Sequence, residues 1–196
     1  MVERVVWVHE VAGSNPVALI RSVDPEQRFS TSPRMIIRQA QSADAPAIAT
    51  IREVTIRTIV APMNLYSHEQ IDSWAANFPA ARVAAYIEQD NCLVAEDGGR
   101  ILGFGRLHLG ATGLAVIRGV FVDADFVGRG IGGQIVKRLL AIGQSLAATR
   151  FDLVSTLNAR SFYERLGFCC LERVEHTTSN GAVIPGYHMR FEVQTP

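Results

Sequence analysis

At 196 residues, 48% of them apolar, the chain is long enough for one domain with a real core and a short extension. Lys and Arg together number 19, as do Asp and Glu, and this zero formal charge argues against broad binding to nucleic acid or an anionic membrane. Cys92, Cys169 and Cys170 are too few and too poorly spaced for a disulfide framework or a zinc site, so no metal is expected. A reducing cytoplasm fits, and no apolar run approaches the length of a membrane span.

Met1–Pro33 reads as an extension apart from the domain. Val5–Val8 has the composition of a short strand, but His9 and Glu10 interrupt any secretory core, and Pro16, Pro25, Pro33 and Ser30–Ser32 read as linker. The expectation is disorder, or a start assigned too early with Met35 as the true one; a tether or partner-binding arm is the functional alternative. Residues 34–196 form the domain.

Met35–Gln39 is the first predicted strand. Ser42 or Asp44 caps a helix with Pro46 in its first turn, running through Ile48, Ile51, Val54 and Ile56 to about Ile59. Ser67 and Gln70 form a capping box for a second helix that buries Ile71 and Trp74. Pro79–Gln89 is a third helix with Val83, Tyr86 and Ile87 on one side. Cys92–Ala95 and Ile101–Leu109 pair through the turn Asp97-Gly98-Gly99. His108, at the end of that hairpin, is expected to be satisfied or exposed.

Leu114–Val122 leads into the densest signal in the chain. Gly128, Gly130, Gly132 and Gly133 line a turn, and Ile131, Ile135, Leu139, Ile142 and Leu146 then recur on one helical face. A glycine-lined turn feeding a helix N-terminus offers unpaired N–H groups and partial positive charge to an anion. The spacing is a poor Rossmann fingerprint, and no Gly-Lys-Ser/Thr follows to make a Walker A loop. Further on, a strand at Phe151–Ser155 leads to Asn158 as N-cap of a helix, Ala159–Leu166, stopped by Gly167. Phe168–His176 and Tyr187–Val193 are strands, joined through a turn at Asn180-Gly181. Cys169 and Cys170 are expected to pack as small hydrophobes.

The two blocks VFVDADFVGRGIGG and NARSFYERLGF, in this order and separation, resemble the GCN5-related N-acetyltransferase (GNAT) family over roughly Met35–Val193. The resemblance implies an α/β fold: a mixed, mainly antiparallel central sheet of six to seven strands flanked by helices. It implies acetyl-CoA as co-substrate, with the pyrophosphate on the backbone of Gly128, Arg129, Gly130, Ile131, Gly132 and Gly133. The pantetheine arm would pair with Val120, Phe121 and Val122 like an extra strand, and Asn158 would contact it. Tyr163 matches the family tyrosine that protonates the leaving thiolate. The segment Ala61–Phe78 resembles an acceptor wall in a bacterial branch of these proteins, which makes Tyr66 a substrate contact and Glu69 a catalytic candidate.

An attacking amine must lose a proton, since a lysine-like amine titrates near ~10.4. Arg118 stands where many relatives carry an acidic residue, which leaves the base open among Glu69, Asp72 and a water chain, with Glu69 preferred. Val127 replaces a polar side chain before Gly128, and Ala124 a common proline. The reading is acetyl transfer to a primary amine of a small-molecule or peptide acceptor. The alternatives are an acyl-CoA-binding module or sensor with little turnover, and a scaffold whose glycines only turn the chain. Dimerisation to a homodimer is common among relatives, and no sequence feature decides it.

Overall fold

In chain order the computed structural model contains β1 (Trp7–Val8), β2 (Ile36–Gln39), α1 (Ala45–Thr55), α2 (His68–Ala75), α3 (Ala80–Gln89), β3 (Asn91–Asp97), β4 (Arg100–Leu109) and β5 (Leu114–Val122). Then follow α4 (Ile131–Ser145), β6 (Arg150–Thr156), α5 (Arg160–Arg165), β7 (Cys169–Thr177) and β8 (Val183–Glu192). The structure describes residues 7–8, 35–76, 78–110, 112–177 and 183–194. Of the extension only β1 falls among these, and the turn at Asn180-Gly181 lies outside them.

The sheet runs β2-β3-β4-β5-β6-β8-β7, with β1 added beside β6. All neighbours are antiparallel except β5–β6 and β1–β6. This is the expected mixed, mainly antiparallel α/β sheet. Gly98 and Gly99 both take positive φ in the β3–β4 turn, as a two-residue hairpin loop requires.

Each face of the sheet carries its own core. On one, Ile135, Val136 and Leu139 of α4 pack on Leu107, Ile117, Val120, Phe151 and Leu153. Gly143 lets this helix approach, because a methyl group there would overlap the Phe151 ring. On the other, Ile48 and Ile51 of α1, Trp74 of α2 and Val83 of α3 pack on Val94, Phe104, Phe121 and Val154.

Several local expectations are corrected. Asp44 holds the N-cap position of α1 but makes no side-chain cap bond: its carboxylate accepts the Gln41 N–H at 2.7 Å and closes a 3-10 turn, Ser42–Asp44, ahead of the helix. Beyond Thr55 the chain widens into a π turn at Ile56–Val60, which buries Ile56 and Val60 and leaves Val54 exposed. The helix α4 stops at Ser145, so Leu146 lies at its cap and is 50% exposed. Cys169 is exposed at the start of β7, whereas Cys92 is buried, and burial pushes its thiol up to about 12. The capping box forms as read: Ser67 Oγ accepts the Gln70 N–H at 3.2 Å, and Gln70 Oε1 accepts the Ser67 N–H at 2.8 Å.

Candidate active site

The site begins where two strands part. β5 and β6 pair only from Leu114–Val116 to Arg150–Asp152. Beyond that point β5 keeps β4 on one edge, and β6 keeps β8 along Arg150–Thr156. The facing edges therefore diverge and leave a gap. The Asp123 N–H donates to the Leu102 carbonyl of β4 at 2.8 Å. Strand alternation then turns the main chain of Phe121 toward β4 and that of Val120 and Val122 toward the gap. Thr55 Oγ1 donates to the Val122 carbonyl at 2.8 Å and ties the end of α1 to this edge.

β1 lies in the same gap. Trp7 and Val8 pair in parallel with Val154 and Ser155, on the edge of β6 that faces β5. A pantetheine arm laid along Val120–Val122 would meet this segment.

At the open end of the gap the chain enters the glycine turn. Gly128 and Gly130 take φ of 82° and 77°, and a side chain on either would meet nothing within 4 Å. Gly130 occupies the N-cap of α4 with no side-chain cap. The first helical bond runs from the Gln134 N–H to the Gly130 carbonyl at 3.2 Å. Among the described residues, no group of the protein accepts from the main-chain N–H of Gly130, Ile131, Gly132 or Gly133. These amides stand at the positive end of a 15-residue helix, an arrangement that favours an anion. Arg129 is exposed and folds back: its Nη2 donates to the Asp125 carbonyl at 3.3 Å, and its guanidinium lies 4.7 Å from the Phe126 ring.

Tyr163 of α5 is completely buried and belongs to the same packed cluster as Val120, Val122 and Ile131. Phe162 and Phe168 hold its ring edge-on, at 4.7 and 5.7 Å between centroids. Asn158 lies just upstream but is not the helix cap. The turn closes from the Ala159 N–H to the Thr156 carbonyl, and Ala159 holds the N-cap of α5. The Asn158 Oδ1 is buried in this turn.

Tyr66 belongs to the packed cluster on the other face of the sheet. Its hydroxyl accepts the Leu157 N–H at 2.8 Å and donates to the Pro185 carbonyl at 3.4 Å, and burial raises it to about 12. It thus buttons the α1–α2 connection onto the strand beside Asn158, and its phenol is committed to the main chain. Glu69 lies in the first turn of α2, exposed, and makes no hydrogen bond or ion pair among the described residues. Asp72 is paired with Arg57 at 2.9 Å.

One part of this face escaped the sequence reading. Arg106 on β4 lies 3.8 Å over the Tyr86 ring and 3.4 Å from Asp90 Oδ2, and Asp90 Oδ1 also bonds His108 Nδ1 at 2.8 Å. Arg52 of α1 is half-buried nearby and donates to the Trp74 carbonyl at 2.6 Å; desolvation lowers it to about 10. The available signal was an arginine in the middle of an apolar stretch on each of two strands, Arg106 between Gly105 and Leu107 and Arg118 between Ile117 and Gly119.

Comparison with known proteins gives this geometry its family. Residues 56–168 match the Acetyltransferase (GNAT) family. The chain belongs to the GNAT family. It is 30% identical over 141 residues to the amino-acid acetyltransferase of Mycobacterium tuberculosis, an alignment covering 71% of each chain. Among solved structures, a GCN5-related N-acetyltransferase of Rhodopseudomonas palustris matches 84% of this chain and 99% of its own, with TM-score 0.72 and 23% identity. The PaiA N-acetyltransferase of Thermoplasma acidophilum, solved with coenzyme A, matches 81% and 99%, with TM-score 0.67 and 18% identity. This GNAT protein is therefore an acetyltransferase with acetyl-CoA as co-substrate, and family members act on small-molecule or peptide acceptors. No helix among the described residues is long and apolar enough to cross a membrane.

Proposed function

We propose that this GNAT protein moves the acetyl group of acetyl-CoA to a primary amine by direct attack. The observation that carries the reading is the row of open main-chain amides from Gly130 to Gly133, continuous with the edge of β5 that parts from β6. The diphosphate takes those amides, with Gly128 giving room and Arg129 adding charge at the rim. The arm lies along Val120, Phe121 and Val122, where it replaces β1, and it passes Asn158. The thioester carbonyl is polarised by a backbone N–H of the same strand.

Tyr163 protonates the departing thiolate. A phenol near 10 is a weak acid for a thiolate near ~8.5, so its buried, ring-locked position matters more than its acidity. Proton removal from the amine is assigned to Glu69 through water, with Tyr66 offering a ring face to the acceptor. An amino acid is the first acceptor to test, because the Mycobacterium tuberculosis relative is named for that chemistry. A cytoplasmic setting suits acetyl-CoA and three free cysteines. The test is thiol release from acetyl-CoA across a panel of amines. Turnover with an amine supports the reading; acetyl-CoA binding with no turnover of any amine replaces it with a sensor.

A further inference from the structure

Arg106 and Arg118 face each other on the α1–α3 side of the sheet with too little counter-charge. They are direct cross-strand partners on β4 and β5, an arrangement in which like charges repel. The Arg106 side chain is more than nine-tenths buried, and its Nη1 has no hydrogen-bond partner. Arg118 makes no hydrogen bond or ion pair among the described residues, and its Nε is buried and unpartnered as well. Burial of guanidinium N–H groups without an acceptor is costly.

The local charges do not relieve this. Asp90 is the nearby carboxylate, and it is divided between Arg106 at 3.4 Å and His108 at 2.8 Å. Arg52 and Arg82 add further positive charge on the same side. One cationic group is left over at a half-buried position, and Arg118 Nε and Arg106 Nη1 are dry and without an acceptor.

Its place on β5 says what would fill it. Arg118 precedes Val120 by two residues, about 6 Å along a strand. A small zwitterion spans that distance with its amine toward Val120–Phe121 and its anionic end toward the guanidinium groups. We infer that the acceptor is a small amine bearing a carboxylate, which the unpartnered N–H groups of Arg118 and Arg106 grip while the amine is presented to the thioester. A planar guanidinium matches a carboxylate through paired hydrogen bonds, which an ammonium cannot reproduce. A polyamine, by contrast, would be repelled. The inference rests on the acetyl-transfer reading and adds the residues that select an acceptor by its carboxylate.

The experiment compares free L-amino acids with their C-terminal amides, alongside spermidine, by thiol release at saturating acetyl-CoA. The amides have the more acidic ammonium and hence the more available amine at neutral pH, so bare reactivity favours them. The expected result is the reverse: the best free acid exceeds its amide in kcat/KM by on the order of 100-fold. Arg118→Gln should shrink that preference toward unity through KM for the acid, and Arg118→Lys should restore it only in part. Turnover of amides or spermidine as good as that of the acids overturns the inference and leaves acetyl transfer standing. So does an acid preference that R118Q, folded by its melting curve, does not move. Absence of turnover with every amine overturns the transfer reading itself, and the inference falls with it.

Discussion

The two faces of the sheet offer different materials for recognition. On the α4 face, the proposed cradle is made of main chain: open amides at Gly130–Gly133 and the edge of β5 that parts from β6, supported by a packed core. On the α1–α3 face, the corresponding surface is made of side chains. Arg106, Arg118, Asp90 and Tyr86 come from β4, β5 and the end of α3, brought together across long separations in the chain. A cofactor common to a family can be held by backbone, which tolerates sequence change. An acceptor that differs among relatives must be read by side chains, and these vary.

The sharpest break in that comparison is chemical. Tyr163→Phe should lower kcat by roughly 100-fold or more while acetyl-CoA affinity stays within about twofold, as the proposed role of its hydroxyl as the acid for the thiolate requires. Single-turnover and calorimetric measurements separate the two; an unchanged kcat removes Tyr163 as the acid.

Next comes the backbone cradle. Asp tolerates a left-handed φ, and a side chain at Gly128 meets open space, so Gly128→Asp should fold. Its charge should weaken acetyl-CoA binding by roughly 30-fold through repulsion of the diphosphate. Undiminished affinity in a titration would place the diphosphate elsewhere.

This contrast also decides what could be read from sequence. The glycine turn, the hairpin at Gly98-Gly99 and the Ser67–Gln70 capping box are local, and each demands particular residue types at fixed spacing. The order of elements along the chain followed from the same periodicities, whereas the strand order in the sheet and its two cores depend on long-range pairing that periodicity does not encode. The Asp90–Arg106–His108 cluster was not legible, because nothing near any one of these residues says which partner the topology will bring. Leu146 and Asn158 were misplaced for a smaller reason: helix ends depend on turn closure, here Ala148 N–H to Gly143 and Ala159 N–H to Thr156, that periodicity does not encode.

A third prediction concerns the α1–α3 side and stability alone. Arg38 bonds Asp44 at 2.7 and 3.0 Å, and this holds the Asp44 carboxyl below its usual range despite partial burial. A depressed folded pKa means that the contribution is present above the unfolded value, near ~3.9, and is lost as pH falls through the folded value. Asp44→Asn should therefore cost about 2 kcal/mol at neutral pH, and the gap to wild type should close below about pH 4 in urea melts. A gap that persists in acid would assign the loss to packing.

The smallest effect belongs to β1. Replacing Trp7 and Val8 by proline removes the N–H groups that a parallel pairing with β6 uses. If this segment competes with the pantetheine arm, KM for acetyl-CoA should fall about threefold with kcat unchanged, a shift of roughly 0.6 kcal/mol. No change in KM would mean that the arm and β1 do not share the gap.

The most direct test of the whole account is amide hydrogen exchange on the full-length chain with and without acetyl-CoA. Slowed exchange should concentrate at Gly130–Gly133 and on the gap-facing edge of β5 at Val120 and Val122. Exchange there that stays unchanged at millimolar acetyl-CoA, in a folded sample, would contradict it.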